Sequence, residues 1–222
     1  MKAFKGHFIT LEGGEGAGKS SLLVKLIEYL SGKNYEVLNT REPGGTALGE
    51  KIREMLLNHD MNLPICASAE LLMFLAARAQ HIDEVIKPAL QQGQIILCDR
   101  YNDSTIAYQT ARGLDKKFIQ QLCQMVCGPI VPELTLFLDL DPQIGLERTR
   151  RLDKENATTG RLDRIEQEKN EFHATVRNNF LQLAKREPLR IYRIDASCSP
   201  QEVYKEAVRA IEEFILLPLR QK

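Results

Sequence analysis

The eight residues from Gly13 to Ser20, GGEGAGKS, constrain this chain more than any other segment. They fit the pattern GxxxxGK[ST], and they lie between an apolar run that reads as a strand, residues 7–12, and a helical pattern that opens at Lys19. In that setting the glycines let backbone N–H groups turn inward around phosphate oxygens, and the helix N-terminus adds a favourable field for an anion. Lys19 then reaches the β- and γ-phosphates of ATP, and the Ser20 hydroxyl is placed to ligate Mg²⁺. The expected phosphate cradle is Gly13, Gly14, Glu15, Gly16, Ala17, Gly18, Lys19, Ser20 and Ser21.

A strand that feeds such a loop belongs to a parallel α/β sheet, and the rest of the chain keeps that rhythm. Short apolar runs at 7–12, 36–40, 95–98, 134–140 and 190–194 alternate with helical patterns at 19–30, 47–57, 68–87, 116–127, 164–185 and 200–216. The expected architecture is α/β: a P-loop NTPase fold with a five-stranded parallel sheet flanked by helices. At 222 residues it reads as one domain spanning 1–222. One stretch, 151–160, is polar and rich in Asn, Thr and charge, and reads as a mobile lid within residues 148–164.

Bulk properties exclude several partners. Thirty Lys+Arg balance thirty Asp+Glu, so no charge excess points to nucleic acid or a membrane surface. The longest apolar stretch, 71–77, is far short of the ~20 residues of a membrane span. Cys66, Cys98, Cys123, Cys127 and Cys198 form no CxxC pair, and they read as reduced thiols of a cytoplasmic protein.

A phosphate-binding loop does not name the acceptor. A GTPase would be expected to carry a guanine-reading NKxD string, and none is present; an LSGGQ-like transporter signature goes no further than Leu30, Ser31 and Gly32. Both absences favour a small-molecule kinase. Bringing two phosphorylated molecules together requires arginines, and three strings supply them: REPGG from Arg41, FLAARAQH from Phe74, and DRY from Asp99. On the helix 68–87, Leu71, Leu72, Leu75, Ala79, Ile82 and Ile86 make an apolar stripe, with Phe74 and Arg78 one turn apart near its edge. Taken alone, that pair reads as a core phenylalanine with a snorkelling arginine before it reads as a base-binding pair. Asp99 and Arg100, taken alone, read as a helix-capping salt bridge.

Five strings in order, GGEGAGKS, REPGG, FLAARAQH, DRYNDSTIAYQ (99–109) and LDRIE (162–166), resemble thymidylate kinases of the bacterial type over nearly the whole chain. That resemblance implies transfer of the γ-phosphoryl group of ATP to dTMP with Mg²⁺, giving ADP and dTDP, in a homodimer. It implies that Phe74 stacks on thymine, that Arg78, Thr105 and Gln109 address the polar edge of the base, and that Tyr108 packs against the deoxyribose. Glu42, Pro43, Arg53 and Arg100 would frame the sugar and 5′-phosphate, with Glu15 close by, and Asp99 would order Mg²⁺ through water.

The loop itself offers no arginine at Glu15, Gly16 or Ala17, although phosphoryl transfer gains much from one. Arg148, Arg150, Arg151, Arg161 and Arg164 around the polar stretch are the source, unless they form only a solvated charged face. The insertion LDKENATTG between Arg151 and Arg161 leaves both as candidates for the catalytic arginine, ahead of Arg150, with Arg148 nearer the adenine or ribose. Two other readings stay open on sequence: a kinase for another pyrimidine nucleotide or deoxynucleoside, and a nucleotide-regulated binding protein with a degenerate active site.

Overall fold

The computed structural model of the chain describes residues 4–58, 63–156 and 164–216. Its five strands, β1 His7–Gly13, β2 Val37–Arg41, β3 Ile95–Asp99, β4 Leu134–Asp139 and β5 Ile191–Asp195, form one sheet in the order β2-β3-β1-β4-β5. Every pairing is parallel; Leu11 on β1 lies opposite Asp99 on one side and Leu136 on the other. β1 is central, and all of its residues are buried because strands flank it and helices cover both faces.

Alternate side chains of the strands serve two cores. Ile9, Leu11, Leu97, Leu136 and Leu138 pack with Leu22, Leu26 and Leu30 of α1 (Lys19–Gly32) and with Ala207, Ala210 and Ile211 of α9 (Pro200–Ile211). Phe137 and Ile191 face the other way, against α3 (Ala67–His81), α5 (Asn102–Ala111), α6 (Lys116–Cys127) and α8 (Asn170–Arg186). Phe8, Ile96 and Cys98 meet a π-helical turn, Ile82–Ile86, and α4 (Lys87–Gln92), which continue α3. Helix starts follow local chemistry: Thr46 caps α2 (Ala47–Leu57) by accepting from the Gly49 N–H, and Ser199 with Glu202 forms a capping box on α9.

Three sequence expectations are corrected. The pattern at 164–185 becomes a helix only from Asn170, with residues 164–167 in turns. The polar stretch expected to be a loop from 151 is helical as far as Asn156, within α7 (Pro142–Asn156), since a sequence with Leu152, Lys154 and Glu155 has adequate helix propensity; the rest, 157–160, lies outside the described residues. The apolar stripe on α3 is only partly in the core: Leu71 and Leu75 are buried, but Leu72 is 57% exposed and Ala79 is exposed. The buried face instead carries Glu70, Arg78 and His81, whose charge and polarity are matched by partners on other segments.

Chain order reverses around β1, so the carboxyl ends of β1, β2 and β3 open onto a crevice at the switch point of the sheet. Gly13, Arg41 and Asp99 end those strands, and the three arginine- and glycine-bearing strings follow from them.

Candidate active site

The phosphate-binding loop leaves β1 at Gly13 and enters α1 through Gly18, which has φ 91°. Two glycines are required by space as well as conformation. A Cβ on Gly13 would lie 2.5 Å from the Leu138 carbonyl oxygen, and one on Gly16, at φ 64°, would lie 2.0 Å from that of Gly145. The loop is thereby pressed against the start of α7. Lys19 is buried, and its ammonium donates to the Gly13 and Gly14 carbonyls at 3.2 and 2.8 Å. Burial, then the nearby Arg100 charge, lower its pKa, while Glu15, Asp99 and Glu12 act in the other direction. Ser20 and Ser21 are exposed at the first turn of α1, open to a phosphate.

The loop is bonded to the segment after β3. Arg100, one of the few non-glycine residues with positive φ (70°), donates to Glu15 Oε1 at 2.7 Å, to the Gly13 carbonyl at 2.9 Å and to Ser104 Oγ at 3.1 Å. Tyr108 also donates its hydroxyl to Glu15 Oε1, at 2.8 Å. Burial alone would raise the Glu15 pKa, but Arg100, then Lys19 and the Tyr108 hydroxyl, outweigh it and hold it at about 2. Beneath them Glu12, fully enclosed at the end of β1, accepts from the Tyr101 N–H at 2.8 Å and from the Ser104 hydroxyl at 2.5 Å. Burial, with the Asp103 charge adding to it, pushes Glu12 up to about 7. Asp99 and Arg100 are not a helix-capping pair: Arg100 points at the loop, and Asp99 Oδ1 is buried without a hydrogen-bond partner.

Beside the loop lies an open cleft of about 590 Å³. Every residue expected at the acceptor, Glu42, Pro43, Arg53, Phe74, Arg78, Arg100, Thr105, Tyr108 and Gln109, lines it, together with Glu15. Sequence reasoning did not single out Leu57, Tyr101, Ser104 and Ile165, which complete the wall; the last three sit inside the strings DRYNDSTIAYQ and LDRIE and were legible there.

Arg78 is no snorkelling side chain. It is 1% exposed and donates Nε to Glu42 Oε2 at 2.7 Å, Nη1 to Asn102 Oδ1 at 3.2 Å and Nη2 to Thr105 Oγ1 at 2.9 Å, with its guanidinium 4.9 Å from the Tyr101 ring centre. Glu42 Oε1 also faces His81 Nδ1 at 2.9 Å, and His81 Nε2 lies 2.7 Å from Thr40 Oγ1. A planar cation buried at the edge of the cleft is thus fixed on three sides, with two of its N–H groups left for a ligand.

On the nucleotide side, Arg148 reaches the Ala196 carbonyl at 3.3 Å, beyond the end of β5. Arg150 and Arg151 are exposed on α7. Arg161 lies outside the described residues. Arg164 is paired with Glu70 of α3.

These features define the class: a phosphotransferase of the P-loop fold, with one place for nucleotide phosphates and an adjoining, arginine-lined place for a phosphorylated acceptor. Residues 11–207 match the family model for thymidylate kinase. The chain is 60% identical over 211 residues to a thymidylate kinase of Protochlamydia amoebophila, covering 95% of this chain and 94% of that one. It is 50% identical over 197 residues to one of Synechococcus sp. strain JA-3-3Ab, covering 88% and 90%. The crystal structure of thymidylate kinase from Ehrlichia chaffeensis superposes with a TM-score of 0.72 at 34% identity, over 93% of this chain and 98% of that one. The chain belongs to the thymidylate kinase family. These relatives do not favour the reading as a kinase for another pyrimidine nucleotide or deoxynucleoside.

Proposed function

We propose that the chain transfers the γ-phosphoryl group of ATP to dTMP, giving ADP and dTDP for dTTP biosynthesis, within one domain whose lid spans residues 148–164. The observation that carries this reading is the bond from Arg100 to Glu15, 2.7 Å, which ties the floor of the acceptor cleft to the phosphate-binding loop. The two phosphates are thereby brought to one another.

An oxygen of the dTMP 5′-phosphate attacks the γ-phosphorus, and the bond to the β,γ-bridging oxygen breaks with its electron pair leaving on ADP. The attacking oxygen is already an anion near neutral pH, so no side-chain base is needed; positioning and charge stabilisation suffice. Lys19 supplies charge at the β- and γ-phosphates, Arg100 and Arg53 at the acceptor phosphate, and Arg151 or Arg161 at the transferring group. Glu15, ionised throughout the neutral range, orients Arg100 rather than taking a proton. Phe74 stacks on the thymine, Tyr108 packs against the deoxyribose, and Arg78, Thr105 and Gln109 meet the polar base edge.

Mg²⁺ is the proposed cofactor, held by Ser20 and, through water, by Asp99; when bound it neutralises phosphate charge. The unpartnered, buried Asp99 Oδ1 supports that fit. Among the described residues no group of three or more His, Cys, Asp or Glu could hold a metal, as suits a Mg²⁺ carried largely by phosphates and water. A homodimer is supported by exposed Leu48 and Met55 on α2 and Leu72 on α3, and a cytoplasmic location by five free cysteines. Among the described residues no helix is long and apolar enough to cross a membrane.

The test is a coupled ADP-release assay with Mg-ATP and, in parallel, dTMP, dUMP, UMP, dCMP and thymidine. Highest kcat/KM with dTMP is expected; a preference for dCMP or thymidine would overturn the reading.

A further inference from the structure

Gln109 lines the acceptor cleft, is 1% exposed, and has a polar atom without a partner: its side-chain oxygen, Oε1, is buried and accepts no hydrogen bond. The orientation of its amide is set from behind. Glu70, 2% exposed on α3, takes the Gln109 Nε2 donor on Oε1 at 2.6 Å. The same carboxylate is paired with two arginines, Arg112 Nε at 3.2 Å and Arg164 Nη2. A carboxylate held in ion pairs accepts and does not donate, so the amide nitrogen must face Glu70 and the oxygen is left for a ligand.

We propose that Glu70 is a positioning residue for acceptor choice: by holding the Gln109 nitrogen it leaves a fixed acceptor in the cleft, matched to a pyrimidine that carries N3–H. The inference rests on the proposed dTMP reading and adds a selection rule to it. Thymine and uracil offer a donor at N3 and an acceptor at O4; Gln109 Oε1 meets the first and the remaining N–H groups of Arg78 meet the second. Cytosine offers an acceptor at N3 and an amino group at C4, and mismatches both. A free Gln109 amide could turn by half a rotation and present its nitrogen to cytosine; the Glu70 carboxylate prevents that turn. Arg164 extends the arrangement beyond the base: its Nε donates to the Leu56 carbonyl at 2.8 Å and its N–H to that of Leu57 at 3.2 Å, while Leu57 and its neighbour Ile165 line the cleft. The carboxylate that orients the amide therefore also anchors the segment that follows residues 157–163.

Glu70→Gln removes the acceptor-only group while keeping its size. The wild type, Glu70→Gln and Glu70→Asp are assayed for kcat/KM with dTMP and with dCMP. In Glu70→Gln the dTMP-to-dCMP preference is expected to fall about tenfold or more, dCMP gaining relative to dTMP as the amide is freed. Glu70→Asp, which retains the carboxylate, keeps the preference within about threefold of wild type. A purely structural role would lower both substrates by one factor in Glu70→Gln, and that result overturns the proposal while leaving the dTMP reading intact. A wild type that does not phosphorylate dTMP overturns both. Should Glu70→Gln not fold, the wild type supplies the measurement: N3-methyl-dTMP, which lacks the donor, is expected to lose about tenfold or more in kcat/KM against dTMP, and equal turnover overturns the proposal.

Discussion

Replacing Glu42 by Gln probes the part of the cleft where sequence and structure differ most in meaning. Glu42 is 4% exposed and accepts from Arg78, itself 1% exposed, at 2.7 Å, and from His81, fully buried, at 2.9 Å. Gln keeps the shape but removes the charge opposite a buried guanidinium. Breaking a buried pair by removing one partner costs about 3–5 kcal/mol, because the other charge stays behind uncompensated. Against a total stability of about 5–15 kcal/mol this is a large loss, and at about 2–4 °C per kcal/mol for a chain of this size it lowers Tm by about 6–20 °C. Thermal and urea unfolding of the wild type, Glu42→Gln, Arg78→Met and the double variant complete the cycle. The double variant should be less destabilised than the sum of the singles by about 0.5–3 kcal/mol, since no charge is left unpaired. A loss under about 1 kcal/mol for Glu42→Gln, or strict additivity, would refute the claim that the pair is coupled.

Four further outcomes are expected. Glu12 titrates near 7 folded against about 4.5 unfolded; a raised pKa means that its contribution is complete below about pH 4.5 and is lost as pH rises toward 7, so Glu12→Gln should gain up to about 3 kcal/mol on the wild type between pH 5 and 8 in urea melts. Equal pH profiles would contradict this. Gly16→Ala, whose Cβ would meet the Gly145 oxygen at 2.0 Å, should lose ATP binding by equilibrium titration, and wild-type affinity would count against the loop packing. Ala at the catalytic lid arginine should lower kcat a hundredfold or more, by comparison with the ~10³–10⁵ of arginine fingers; if Arg150, Arg151 and Arg161 all tolerate Ala within about threefold, the lid assignment fails. EDTA should abolish turnover and Mg²⁺ restore it, and turnover that survives the chelator would remove Mg²⁺ from the account.

Much of this arrangement was legible in the sequence because it rests on local chemistry. The string GGEGAGKS needs a strand before it and a helix after it, and the apolar runs at 7–12, 95–98 and 134–140 become the three buried central strands of a parallel sheet, with the less buried runs at 36–40 and 190–194 at its edges. The cleft-lining residues were legible, apart from Arg53 and Leu57, through strings that the fold gathers at strand ends, on the adjoining helices α3 and α5 and in the turns at 164–167. What was not legible depends on partners distant in the chain. The stripe on α3 leaves out Glu70 and His81 and sets Arg78 at its edge, yet all three lie on the buried face because Arg164, Glu42 and Thr40 reach them from other elements. Periodicity sees hydrophobicity and not satisfied charge, so it places Leu72 in the core although that residue lies at the surface. The helical stretch from Arg151 to Asn156 escapes the same reading: a stretch with one apolar residue carries no stripe to read.

The claim on which the rest depends is that phosphate-binding loop and arginine-lined cleft act as one transfer site. Phosphorus NMR of the wild type with Mg-ATP and dTMP tests it directly. The γ-phosphoryl signal of ATP is expected to be replaced by the β-phosphoryl signal of dTDP, with ADP formed in equal amount. Inorganic phosphate appearing in place of dTDP, or no change with dTMP present, would contradict it.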